Sequence, residues 1–255
     1  MAIEIVTIAC LADNYAFLLN DDETGFTALV DAPEDAAILN VLDQRGWSLD
    51  AVLLTHHHWD HVDGLAGILA RHPAKVIGAK ADAHRLPALD VAVSEGDALQ
   101  IGSVAASVFD VSGHTLGHIA FYIPAAKAVF TADSLMALGC GRLFEGAPAV
   151  MWQSLQKLMA LPIDTIVYSG HEYTAANAKF AISIEPNNPH LIARVAAIKT
   201  ARASGIPTVP STLADELATN PFLRGHIPEV QASVGLTGAD AGTVFARVRK
   251  AKDTF

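Results

Sequence analysis

The stretch Ala51-Val52-Leu53-Leu54-Thr55-His56-His57-His58-Trp59-Asp60-His61 sets four apolar residues directly before four histidines and one aspartate. The apolar run reads as a buried strand, and the histidine cluster beyond it calls for a chemical explanation. Neutral imidazole and carboxylate are the ligands that borderline divalent metals accept. If extended geometry continues past Leu54, alternate side chains His56, His58 and Asp60 point to one side. An isolated histidine is more often a core hydrogen-bonding group or a surface titrating group. Imidazoles and a carboxylate crowded at one strand end have no stabilising role without a cation, so the stretch predicts a metal centre.

Further candidate ligands recur downstream at turn-like positions: His114 in Ser112-Gly113-His114-Thr115, Asp133 in Thr131-Ala132-Asp133-Ser134, and His171 in Ser169-Gly170-His171-Glu172. Each follows an apolar run, which would bring strand-end ligands together at one edge of the sheets. Around them, short β-type segments are expected at 3–8, 15–19, 27–30, 51–54, 75–78, 98–101, 104–110, 119–123 and 128–131. Helices are expected at 35–44, ended by Gly46, and at 62–71. This texture suggests two packed sheets covered by helices. From Pro148 the pattern turns helical, with 150–160, 174–184 and 190–204 as helices, 165–169 as one more buried strand, and no clear strand beyond. Two domains are expected, residues 1–172 and 173–255.

Composition narrows the function classes. Hydrophobic residues make up 51% and charged residues 17% of the 255, which is a well-buried globular composition. No apolar run is long enough to span a bilayer, and Met1-Ala2-Ile3-Glu4-Ile5-Val6 lacks a basic leader, so no membrane partner and a cytoplasmic location are expected. A formal charge of −10 argues against a nucleic-acid partner. Arg247, Arg249, Lys250 and Lys252 nevertheless make a basic end, readable either as an anion site or as a solvated helix face. Cys10 and Cys140 read as two reduced structural thiols.

The run Thr-His-His-His-Trp-Asp-His, the later Gly-His-Thr-Leu-Gly-His (113–118), the Asp133 loop and Gly-His-Glu-Tyr (170–173) resemble the metallo-β-lactamase superfamily. Within it the chain is similar to the glyoxalase II (hydroxyacylglutathione hydrolase) family. That narrower likeness rests on Cys140-Gly141-Arg142, Val209-Pro210-Ser211-Thr212, Asn220-Pro221-Phe222 and the 249–253 end. The resemblance implies an α+β fold, an αββα sandwich of two mixed sheets flanked by helices, with a C-terminal helical domain that binds substrate.

It also implies two divalent ions, Zn2+ by default with Fe or Mn acceptable to the same ligands. His56, His58 and His114 would hold one ion and Asp60, His61 and His171 the other, with Asp133 bridging. His57 and His118 would be non-ligands. The implied reaction is hydrolysis of S-D-lactoylglutathione or a related 2-hydroxyacyl thioester by a hydroxide bridging the ions, with Asp60 orienting the bridging water or taking its proton as that hydroxide forms. Arg249, Lys252, Tyr173, Arg142 and Phe144 would line the glutathione site of a monomeric enzyme. Two positions depart from the family's frequent pattern: Arg142 stands where Lys is common, and Phe144 where Tyr is common. The alternatives are a mononuclear-iron persulfide dioxygenase, another hydrolase of the superfamily such as a lactonase, and a non-catalytic metal-binding protein.

Overall fold

The computed structural model describes residues 3–255. Met1 and Ala2, the start of the stretch read above as lacking a basic leader, lie outside them. The chain forms two compact units: one runs to Asp110 and takes in Leu116–Thr131, the other comprises Val111–Thr115 and Ala132–Phe255.

In the first unit, strands β1 (Ile3–Cys10), β2 (Asn14–Asp21), β3 (Thr27–Val30), β4 (Ala51–Leu53), β5 (Lys75–Ala79) and β6 (Val91–Val93) lie side by side in chain order. The first three pair antiparallel through turns, and the β3-to-β6 pairings are parallel. A parallel neighbour requires a crossover. Helix α1 (Asp35–Arg45) makes the one between β3 and β4, and α2 (Trp59–Val62) with α3 (Leu65–Arg71) makes the next. Gly46 ends α1 in the left-handed conformation at φ 66°, its N–H returning to the carbonyls of Leu42 and Asp43. Strands β7 (Ala98–Ile101), β8 (Val104–Asp110), β9 (Ile119–Ile123) and β10 (Ala128–Ala132) form a second, antiparallel run. Phe17 of β2 meets Phe130 of β10 with ring centroids 5.5 Å apart, both rings buried. Such a side chain contributes about 1.5–3 kcal/mol through burial alone.

The second unit contains the hairpin β11 (Leu135–Met136) and β12 (Gly139–Cys140), helix α4 (Pro148–Met159), strand β13 (Ile166–Ser169), helices α5 (Thr174–Ile184) and α6 (Pro189–Ala203), strand β14 (Ser211–Thr212), and helices α7 (Leu213–Thr219), α8 (Pro228–Ser233) and α9 (Ala241–Asp253). Side-chain caps start three of them: Asn188 on α6, Thr212 on α7 and Asp240 on α9. Segment 111–115 belongs here because Ser154 of α4 donates to the Ser112 carbonyl at 2.6 Å.

Three expectations from sequence are corrected. A strand does follow residue 170, since β14 pairs antiparallel with β13. Like β11 and β12 it spans two residues, too short for any periodicity to register. Strand β6 was also not foreseen. The helix expected over 62–71 is two helices, α2 and α3, divided at Gly64. No helix among the described residues is long and apolar enough to cross a membrane.

At this break the position of Gly64 is fixed by space. Its φ of −75° suits any residue, but a Cβ would stand 2.4 Å from the backbone carbon of Glu34. Space, not conformation, demands glycine. Gly64→Ala is therefore expected to lower stability by about 1–3 kcal/mol through overpacking, read as a lower urea midpoint with an unchanged slope.

Candidate metal centre

Strand β4 ends at Leu53, so the histidine run does not continue it. His56 to His58 form a loop, and Asp60 and His61 sit in the single turn of α2. A loop and one helical turn, not an extended strand, therefore carry these donors. The donors still gather in two pairs: His56 Nε2 lies 3.1 Å from His58 Nδ1, and Asp60 Oδ2 lies 3.9 Å from His61 Nε2.

Buried polar groups set the direction of these donors. Asp31, at the end of β3 with a left-handed φ of 57°, accepts from Thr55 N at 2.9 Å and from Thr55 Oγ1 at 2.8 Å, and faces His61 Nδ1 at 2.8 Å. With a carboxylate at Nδ1, the proton of His61 sits there and the Nε2 lone pair projects. Thr55 gives its one hydroxyl proton to Asp31, so its oxygen accepts from His56 Nδ1 at 3.0 Å, which leaves the His56 lone pair on Nε2 as well. Asn14 Nδ2 donates to both the carbonyl and Oδ2 of Asp60, at 2.9 and 3.0 Å. His57 turns to the buried Asp82, 2.8 Å from Nδ1. His118 stacks on His56, centroids 4.6 Å apart.

The second unit carries a matching arrangement. Asp133 Oδ2 faces His114 Nε2 at 3.4 Å, and Asp133 Oδ1 faces His171 Nε2 at 3.3 Å. The Arg142 carbonyl, which can only accept, lies 2.9 Å from His114 Nδ1 and so takes the proton of that ring. With a neutral ring, the Nε2 lone pair of His114 then confronts a carboxylate oxygen, two acceptors face to face. A proton or a metal cation would resolve that opposition, and the imidazole and carboxylate donor set suits a divalent metal. Gly141 is needed beside this pair because a Cβ there would stand 2.0 Å from the Asp133 carbonyl oxygen.

The expected substrate residues all lie in this unit. Tyr173 stacks nearly parallel on His171, centroids 4.6 Å apart, and the Phe144 ring meets His114 edge-on at 5.2 Å. Phe144, Tyr173 and Arg142 are exposed. Arg249 is buried: Nη1 donates to the Cys140 carbonyl at 2.8 Å, Nη2 pairs with Asp253 at 2.9 Å, and the guanidinium lies over Phe222. Its Nε is buried without a hydrogen-bond partner. Lys252 Nζ lies over Phe180 and Phe255 and donates to the Ala176 carbonyl at 3.3 Å. Burial, then the charges of Arg249 and Arg142, push its pKa below the usual lysine value. The two cysteines are free and buried. Burial pushes the Cys10 thiol up to about 12, and takes Cys140 to about 11 despite the opposing charge of Arg249.

Asn14, Asp31 and Asp82 had no place in the sequence reading. Asp31 follows an apolar strand just as His114 and Asp133 do, so the same signal would have found it. Asn14 and Asp82 carry no such mark.

Comparison with known proteins agrees with this geometry. Residues 14–171 match the model of the metallo-beta-lactamase superfamily. The chain superposes on the crystal structure of BLEG-1 B3 metallo-beta-lactamase with a TM-score of 0.68 at 22% identity, covering 87% of this chain and all of that one. On TTHA1623 in a di-iron-bound form the TM-score is 0.63 at 25% identity, covering 86% and 100%. Fold and site thus define a metallo-β-lactamase superfamily protein whose His and Asp donors support a dinuclear metal site. Residues 172–255 match the hydroxyacylglutathione hydrolase C-terminus. Hydroxyacylglutathione hydrolases of Ruegeria pomeroyi and Jannaschia sp. are 63% and 62% identical, over 100% and 99% of this chain and 100% and 98% of their own. The chain belongs to the hydroxyacylglutathione hydrolase family. The fold class expected from the sequence is the one found.

Because Asp31 orients His61 directly and His56 through Thr55, Asp31→Ala is expected to weaken metal binding about 10–100-fold. Chelator competition on the folded variant measures this. Wild-type affinity would show that the two rings are held by other means.

Proposed function

We propose that this chain hydrolyses S-2-hydroxyacylglutathione thioesters, S-D-lactoylglutathione above all, to a 2-hydroxy acid and glutathione, as a cytoplasmic monomer. Residues 1–172 would supply the chemistry and 173–255 the substrate site. One ion would be held by His56, His58 and His114 and the other by Asp60, His61 and His171, with Asp133 shared between them; zinc is the first choice of metal. The observation that carries this reading is the pairing of donors. His56 with His58, and Asp60 with His61, make two pairs in one unit, and Asp133 offers a separate oxygen beside each of two histidines in the other. A carboxylate with one histidine at each oxygen is what two adjacent cations require.

When bound, such ions acidify water towards a pKa of about 7 and polarise a carbonyl oxygen. The residues do the rest. Asn14 fixes the carboxylate of Asp60, which orients the attacking water and receives its proton. The departing thiolate needs little protonation, since its thiol has a pKa of roughly 8.5. No nucleophilic side chain is needed, and the raised pKa values of both cysteines fit that. Glutathione carries two carboxylates, and after burial the charges of Arg249, itself paired with Asp253, and of Arg142 lower the pKa of Lys252, so these three residues form a basic cluster. Such a cluster attracts an anion. The dioxygenase and lactonase alternatives are not favoured, because relatives 54–63% identical over essentially the full chain carry the hydroxyacylglutathione hydrolase name.

The direct test is turnover of S-D-lactoylglutathione by the metal-replete chain, followed as loss of thioester absorbance. No turnover, with oxygen uptake on glutathione persulfide instead, would overturn the assignment.

The lowered pKa of Lys252 has a signed consequence. Lys252 is cationic below its pKa and neutral above it, so KM should rise as pH climbs through a value lower than that of an ordinary lysine. Arg142→Gln removes one repelling charge and should move that rise to higher pH, whatever it does to KM at neutrality. Phe144→Tyr restores a hydroxyl beside His114 and is expected to lower KM several-fold with kcat little changed, as one added hydrogen bond of about 0.5–1.5 kcal/mol would do.

A further inference from the structure

The hairpin β11–β12 links Asp133 to Arg142, and every residue from Met136 to Cys140 has a backbone atom held by a side chain from much later in the chain. Asn220 Nδ2 donates to the carbonyls of Met136 and Gly139 at 3.2 and 3.0 Å. Asn177 Nδ2 donates to Ala137 O at 3.1 Å, Glu216 Oε2 accepts from Leu138 N at 2.9 Å, and Arg249 Nη1 donates to Cys140 O at 2.8 Å. These four side chains come from α5, α7, the residue after α7, and α9. Glu216 is itself fully buried and neutralised by Arg194 Nη2 at 2.5 Å, while Asn220 donates to its Oε2 at 3.0 Å. Leu138 holds a left-handed φ of 56°, a conformation leucine rarely adopts, and its N–H is the one Glu216 takes.

A two-residue turn between two-residue strands does not need five tertiary hydrogen bonds to exist. What it gains is a fixed position. Its strands lead directly to the metal-facing groups: Gly141 N closes on Ser134 O at 3.1 Å, Asp133 precedes that contact, and the Arg142 carbonyl holds His114 Nδ1. A displacement of the hairpin therefore moves Asp133 and His114 together.

We propose that Asn177, Glu216, Asn220 and Arg249 are positioning residues for the metal centre, clasping the 136–140 hairpin so that Asp133 and His114 keep their mutual geometry. The C-terminal helices then serve the ions as well as the substrate. Arg249 in this role acts through the Cys140 carbonyl, whatever its Nε contacts. The inference rests on the reading of Asp133 as a bridging ligand.

The test uses Asn220→Asp and Asn177→Asp in the full chain, near-isosteric changes that set a carboxylate oxygen against the hairpin carbonyls. Dissociation constants of both zinc ions are measured by chelator competition, with circular dichroism and thermal unfolding alongside. The expected result is about tenfold weaker binding of at least one ion with secondary structure intact, in the range seen when outer partners of ligands are removed. Unchanged affinity for both ions with a lowered Tm would make the contacts merely structural and overturn the proposal. Asn177→Ala, which removes one bond of the five, supplies the same comparison if the aspartate variants do not fold, with about threefold weakening expected. Asp133→Ala separates the two ideas. If it too leaves both affinities unchanged, the ligand reading has failed; if it weakens them while the hairpin variants do not, only the clasp has.

Discussion

An imidazole can hold a metal only through a nitrogen that carries a lone pair, and which nitrogen that is depends on what accepts the proton of the other. Much of this fold can be understood as the supply of those acceptors. Asp31 accepts a hydrogen bond from the Nδ1–H of His61, Thr55 Oγ1 from that of His56, and the Arg142 carbonyl from that of His114. Each acceptor is held by secondary structure: Asp31 by the end of β3, Thr55 by the Asp31 carboxylate just beyond β4, and Arg142 by the hairpin preceding it. Asp31 sits in a left-handed conformation that an aspartate adopts at some energetic penalty, generally about 1–3 kcal/mol. The three hydrogen bonds it receives explain why that conformation persists.

Burial gives these contacts their force. Asp31, His56, His61, His114, Asp133 and His171 are all buried. In such surroundings a misdirected lone pair or an uncompensated carboxylate is far more costly than at the surface. The same low accessibility makes the orientation of these side chains unforgiving, and so the residues behind them matter nearly as much as the side chains themselves.

The donor residues were readable from sequence because histidine and aspartate at such density have few other uses, and because strand-end glycines flagged His114 and His171. Most strands of the first unit were readable because they are four to eight residues of apolar pattern, as in β2 and β8, whereas the three-residue β6 was missed. What escaped was short or non-local. Strands β11, β12 and β14 have two residues each, beneath any periodicity. Asn14 acts on Asp60 across 46 positions and Asn220 acts on Met136 across 84, and an asparagine in a sequence carries no sign of its partner. The histidine run was wrongly read as continuing an extended strand, since Trp59 to Val62 turn into a helix that carries Asp60 and His61.

The two cysteines acquire a meaning from the proposed chemistry that neither has alone. A glutathione thioesterase releases a thiol at every turnover and works amid glutathione and its disulfide. Exchange with such a disulfide requires a thiolate with access to solvent. Cys10 and Cys140, buried and raised to about 12 and about 11, offer almost no thiolate at neutral pH. Both thiols are thereby insulated from mixed-disulfide exchange with glutathione disulfide, even though each turnover adds to the glutathione pool.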